Sequence, residues 1–230
     1  SYMSRQPRRA RISNIDYLAR YQYIGIHHLV TQGCIFDREL LYDKFPNQLL
    51  PFDFDTYFQH AEGFEMVTTN CLTGHAMYLS ETHDKQRALD IVRASSCLPY
   101  VSKIVNVDGI PMLDGGIADS IPVQHAIDMG YEHNVVILTR NKGWRNHGKD
   151  RKIPYLYKNY PRLRVALSHR HKVYNEQLQL VDDLEAAGKI TCIRPLRPLE
   201  VGRIEKDTVK LERLYEEGFS LGERFCQNFK

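Results

Sequence analysis

Asp114 stands directly before two glycines in the stretch Val107-Asp-Gly-Ile-Pro-Met-Leu-Asp-Gly-Gly-Ile-Ala-Asp-Ser-Ile-Pro122. Apolar Ile110, Met112 and Leu113 precede it, and a helix start follows at Pro122. The pattern predicts a strand ending in a tight turn, with a carboxylate at the strand's carboxyl end. In α/β sheets, ligands and chemistry gather at that end. A carboxylate there serves as a general base when it reaches the nucleophile's proton and its pKa suits the task. Gly115 and Gly116 allow positive φ and a close backbone approach, so the acid can project into a site. The competing reading is an ordinary Asp-Gly-Gly turn, since Asp and Gly dominate turns on conformational grounds alone.

Other residues invite a nucleophile reading. Gly218-Phe-Ser-Leu-Gly222 spells G-x-S-x-G. A nucleophile elbow needs a strand entering and a helix leaving. Ser220 instead follows the helical pattern Leu211-Glu-Arg-Leu-Tyr-Glu-Glu217, and two glycines four apart on a helix read as close packing. Ser95 and Ser96 end a predicted helix, where the dipole is negative and disfavours an oxyanion. Their expected role is helix termination and support of the Asp114 loop. Cys97 has no evident basic partner to make it a thiolate. The ten histidines form no H-E-x-x-H or other ligand spacing, so no metal site is expected. The five cysteines are scattered without a C-x-x-C, which predicts reduced thiols in a cytosol.

The elements that must position Asp114 alternate between strand and helix. A short helix is predicted over 54–61, a strand over 65–72 turned at Gly74, and its hairpin partner over 76–79. Asp84 is placed to cap a helix running to Ser95. Two strands, 101–107 and 110–113, flank Asp108-Gly109, a strong hairpin signal. A helix over 122–129 is stopped by Gly130. The run Val135-Val-Ile-Leu138 reads as a strand buried on both faces. A polar, basic loop follows over 141–152, then helices over 163–169 and 173–187, a strand over 189–194 and a closing helix over 207–229 with an apolar stripe.

The chain of 230 residues has a net charge of only +3. One large domain is expected over 1–230, of α/β class, with a mainly parallel sheet covered by helices. No apolar run approaches the ~20 residues of a membrane span. The arginines near the start and the basic segment 140–152 read as solvated loops, not a nucleic-acid surface, because no ladder of aromatic residues accompanies them.

The segment Arg93-Ala-Ser-Ser-Cys-Leu-Pro99, followed by Asp114-Gly-Gly-Ile-Ala-Asp-Ser-Ile-Pro-Val123, resembles the patatin-like phospholipase family, most of all its bacterial cytosolic branch. The segment Arg170-His-Lys-Val-Tyr-Asn175 and the helix over 210–222 add more diffuse support. The resemblance implies a three-layer α/β sandwich, mainly parallel with helices on both faces, and a cytoplasmic serine acyl hydrolase. It implies a serine–aspartate dyad in which Asp114 is the base and Gly115 and Gly116 complete the motif. The substrate would be a lipid or small acyl ester. No cofactor, metal or nucleic acid is implied, and membrane contact would be peripheral at most. The family's glycine-rich loop and its G-x-S-x-G serine lie upstream of such a motif, and neither is found before Asp114. The opening residues Ser1-Tyr-Met-Ser-Arg-Gln-Pro-Arg-Arg9 resemble the family's helix just after the elbow. The expectation is therefore a fragment without its nucleophile or its first strands, inert by itself. The alternative is a complete, non-catalytic α/β binding module on the same scaffold.

Overall fold

The computed structural model describes residues 2–148, 155–202 and 204–228. The end of the predicted basic loop, 149–152, and the last residue of the predicted closing helix, Phe229, lie outside them. In chain order the elements are α1 (Arg9–Arg11), α2 (Tyr17–Tyr21), α3 (Ile26–Gln32), α4 (Phe54–His60), β1 (Met66–Asn70), β2 (Ala76–Leu79), α5 (Lys85–Ser95), β3 (Val105–Val107), β4 (Ile110–Asp114), α6 (Val123–Asp128), β5 (Asn134–Ile137), α7 (Pro161–Ala186), β6 (Ile190–Ile193) and α8 (Thr208–Asn228). A ten-residue π-helical segment, Leu40–Leu49, carries Pro46. The chain forms two compact units: Ser1–Asp119 with Asp150–Arg170, and Ser120–Lys149 with His171–Lys230.

The first unit is built on a four-stranded sheet in the order β2-β1-β4-β3, antiparallel at every step. Local turn chemistry accounts for the β1–β2 and β3–β4 pairs. Asn70 and Gly74 close the β1–β2 turn: the Asn70 carboxamide oxygen accepts the Leu72 N–H at 2.8 Å, and Gly74 takes φ +75°. At the β3–β4 turn, Asp108 and Gly109 both have positive φ, 53° and 77°, which matches the twist of a two-residue hairpin. The expected predominance of parallel pairing is thus not met among the described strands. Hairpin turns join neighbouring strands antiparallel, whereas parallel neighbours need a long crossover.

α5 covers this sheet. The Asp84 side chain caps it, accepting the Arg87 N–H at 2.9 Å. Ala88, Ile91 and Ala94 are buried, with Ile91 and Ala94 in one core with Met112, Leu113, Val105 and Val107. Two buried threonines on the central strand would be costly without partners. Both have them: Thr69 Oγ1 donates to the Asp114 carbonyl at 2.8 Å, and Thr68 Oγ1 lies 3.2 Å from Met112 Sδ. Arg87 joins the start of α5 to the β3–β4 turn, with Nη1 2.8 Å from Glu81 and Nη2 2.8 Å from Asp108.

The second unit pairs β5 and β6 in parallel, packed with Ile121, Val123, Leu178 and Val181. Val135 and Ile137, however, are 46% and 74% exposed, so β5 is buried on one face only and not on both as expected. The second half of α7 holds Asp182 and Glu185, which pair with Arg194 at 3.0 and 2.6 Å, and Arg145 joins Asp182 at 2.9 Å. The two helices expected over 163–169 and 173–187 are one continuous helix, because Arg170, His171 and Lys172 are tolerated inside a helix and no Gly or Pro interrupts them. The opening residues form turns up to α1, not a helix; Pro7 has no N–H to donate back into one.

Glu81 gives this fold an acid-sensitive tie. Its carboxylate is held down to about 2, chiefly by the Asp84 N–H and with help from Arg87 and the His83 N–H, against an opposing effect of burial. A carboxyl depressed in the folded state stabilises above its unfolded pKa, about 4.3, and loses that contribution as pH falls toward the folded value. Glu81→Gln is expected to cost about 1–2 kcal/mol at neutral pH. It should also flatten the fall in stability between pH 4.5 and 2 in denaturant titrations; an acid limb as steep as wild type would contradict this.

Candidate functional site

Asp114 ends β4 opposite Thr68 of β1. Its backbone is pinned at both polar groups: the N–H donates to the Cys97 carbonyl at 3.1 Å, and the C=O accepts the Thr69 hydroxyl at 2.8 Å. Its half-buried carboxylate accepts the Gly116 N–H at 2.7 Å. A single 3-10 turn, Gly115–Ile117, follows. The Gly115 carbonyl accepts the Ala118 and Asp119 N–H groups at 3.1 and 2.9 Å. From α7, Arg170 Nε donates to the Gly116 carbonyl. Tyr78 on β2 donates to the Asp119 carboxylate at 2.5 Å. The acid is therefore held by strands β1 and β4, the loop after α5 and the start of α7.

Of the two properties expected of the glycines, the structure uses close approach and not positive φ. Neither is among the glycines with positive φ. What Gly115 supplies is close approach: a Cβ there would sit 2.3 Å from the Val67 carbonyl oxygen, a backbone atom of β1. Gly115→Ala is expected to destabilise the protein by about 1–3 kcal/mol, as overpacking does. A melting temperature unchanged from wild type would show that β1 yields freely there.

The rival nucleophiles are engaged in helix ends, a helix interior or a backbone hydrogen bond. Ser220 lies within α8, with no strand leading into it, and its hydroxyl accepts from Arg224 at 3.3 Å. Gly218 and Gly222 do not mark close packing, since a Cβ on either would meet nothing within 4 Å. Ser95 is the last residue of α5. Ser96 closes the helix, its hydroxyl 2.7 Å from the Val92 carbonyl and 2.8 Å from the Tyr42 hydroxyl. Cys97 donates to the Lys103 carbonyl at 2.8 Å, and burial pushes its thiol up to about 11. It is a protonated, structural thiol at neutral pH.

Three positioning groups escaped the sequence reading: Thr69, Arg170 and the Tyr78–Asp119 pair. Each acts across more than forty residues, so no local spacing announces it. Arg170 stands within the segment Arg170–Asn175, whose sequence alone does not give it a partner. Among the described residues no group of three His, Cys, Asp or Glu side chains could hold a metal ion, and no helix is long and apolar enough to cross a membrane.

Asp114 and its turn lie within a span that the sequence model of a known family covers. The sequence model of the Patatin-like phospholipase family covers residues 1–127, and the chain belongs to that family. A second model, a domain of unknown function (DUF6363), covers residues 160–230. Among curated proteins, the uncharacterized protein YjjU of Escherichia coli (strain K12) is 32% identical over 143 residues. That match takes in 60% of this chain and 39% of YjjU, so the chain spans about two fifths of that relative's length.

Thiol alkylation tests the burial pattern. At pH 7 iodoacetamide should modify the exposed Cys226 and spare Cys97 and Cys71, whose thiol burial pushes up to about 12. All five cysteines should react after denaturation. Rapid native modification of Cys97 would contradict its placement.

Proposed function

We propose that the whole protein is a serine acyl hydrolase in which Asp114 is the general base of a Ser-Asp dyad. The observation that carries the reading is the Asp114 carboxylate, fixed at the end of β4 by the Gly116 amide and by a backbone bonded on both sides. A base held in this way needs no histidine to orient it. It would take the proton of a serine hydroxyl as the oxygen attacks an ester carbonyl, then return the proton to the departing alcohol. Water activated by the same carboxylate would release the acid from the acyl-serine. The substrate class is an acyl ester of lipid type, and the reaction draws on no metal or organic cofactor.

The serine itself is proposed to come from sequence preceding Ser1, because the serines weighed above are engaged in helix ends or helix interiors. The same upstream sequence would supply the oxyanion donors and further strands of a three-layer sandwich. The exposed apolar side chains of Val135 and Ile137 support that part of the reading, since a strand face in a layered α/β fold is normally covered. Without such residues, the 230-residue chain would not turn over esters by itself.

Asp114→Asn keeps an oxygen for the Gly116 amide and removes the base. In the full-length protein this substitution should lower kcat/KM for a short acyl ester by about 10²–10⁴-fold. The melting temperature should stay near wild type, and Ser220→Ala should leave kcat/KM unchanged. Wild-type turnover by Asp114→Asn would remove Asp114 from the mechanism.

A further inference from the structure

Five exposed apolar side chains of the first unit fall in three short segments, 25–34, 97–104 and 155–164. Ile26 and Val30, 75% and 80% exposed, lie four residues apart on α3 and so share a helix face. Tyr100 belongs to the loop after α5. Tyr155 and Leu156 belong to a 3-10 turn that precedes α7. Single exposed apolar residues are ordinary on a protein surface, whereas a linked group of them marks a contact site.

The three segments are linked. The Ile35 N–H donates to the Val101 carbonyl at 2.9 Å, Cys34 Sγ lies 3.3 Å from the Ser102 hydroxyl, and the Lys103 side chain passes over Gly33. In the third segment Tyr157 is buried. Its hydroxyl accepts the Tyr100 N–H at 2.9 Å, and the two rings lie 5.7 Å apart. These contacts hold Tyr100 at φ +71°, a conformation that a bulky residue seldom takes. The support is built from buried groups such as Cys34 and Tyr157, while the five apolar side chains stay exposed. The central loop begins at Cys97, whose carbonyl accepts the Asp114 N–H.

Charge points to the partner. The chain carries 28 acidic residues, and none falls in these three segments. Lys103, Lys158, Arg162 and Arg164 do. The first three are exposed and form no ion pair among the described residues. The nearest acid in sequence, Asp37, is engaged by the Gln32 carboxamide at 3.2 Å and the Leu40 N–H at 3.1 Å. Tyrosines and cations around exposed aliphatic side chains suit the boundary between lipid headgroups and acyl chains. A nucleic acid would offer phosphates and bases but leave Ile26, Val30 and Leu156 without a counterpart.

We propose that this surface docks on a lipid bilayer that carries anionic headgroups. The proposal concerns a partner and not the chemistry at Asp114, so it stands or falls apart from the hydrolase reading.

The test is sedimentation of the full-length protein with vesicles of phosphatidylcholine alone, or with about one third phosphatidylglycerol. Binding should be saturable on the anionic vesicles, and it should weaken as salt rises from about 0.1 to about 1 M. Lys158→Gln should lower the affinity about fivefold. Val30→Glu and Leu156→Glu should each lower it about tenfold or more. All three positions are exposed, so melting temperatures should stay at the wild-type value. Phe219→Glu changes an exposed apolar residue of the second unit and should leave vesicle binding unchanged. Absence of binding to anionic vesicles would overturn the proposal, as would binding that Val30→Glu, Leu156→Glu and Lys158→Gln all leave unaltered. A dimer in solution that Val30→Glu splits, without vesicle binding, would overturn it in favour of a second copy on this surface. Ester turnover is not read, so a failure of the hydrolase reading would leave each of these outcomes intact.

Discussion

The contact on which the site depends is the backbone of Gly115 against the Val67 carbonyl. No side chain fits there, because its first atom would lie 2.3 Å from that oxygen. The close approach lets β4 run alongside β1 to its last residue before the chain turns. Asp114 therefore leaves the sheet at a defined height, with its C=O on Thr69 and its N–H on Cys97. The turn then offers the Gly116 amide to the carboxylate. Preorganisation here is a matter of backbone hydrogen bonds, which hold the carboxylate more tightly than loop packing alone.

The surrounding polar groups serve the same end by different means. Thr68 and Thr69 are fully buried in the central strand, where an unbonded hydroxyl would be expensive, and each spends its hydroxyl on β4 or β2. Arg87 binds Glu81 and Asp108 together and so fixes α5 against the hairpin that ends in Asp114. The loop after α5 then places the Cys97 carbonyl where the Asp114 N–H needs it. In the second unit the cluster of Arg145, Asp182, Arg194 and Glu185 ties α7 to the end of β6. Arg170 brings α7 to the Asp114 turn from within the first unit.

Features encoded by neighbouring residues were legible before the fold was known. Asp108-Gly109 announced the hairpin, Asp84 the cap of α5, and Gly74 and Gly130 the ends of their elements, both with positive φ. Asp114 was legible as a strand-end acid for the same reason. The two antiparallel hairpins were legible in the same way, but the β1–β4 pairing was not: the pattern of strand and helix suggested parallel crossovers, yet β4 pairs antiparallel with β1 across β2, α5 and β3. The burial of β5 was misjudged because Val135-Val-Ile-Leu138 is equally apolar on both faces while only one is covered. Thr69, Arg170 and Tyr78 could not be read as positioning groups, since their contacts join distant parts of the chain. The close approach of Gly115 was expected, but its partner, the Val67 carbonyl of β1, is set by the fold.

The proposal that Asp114 serves as the base for a serine nucleophile is addressed most directly by covalent labelling. The full-length protein is treated with a fluorophosphonate, digested, and the modified residue located by mass spectrometry, alongside Asp114→Asn. The account predicts one adduct, on a serine preceding Ser1, formed far more slowly in the variant. An adduct on Ser220 or any other serine within these 230 residues, or equal labelling of both proteins, would contradict it.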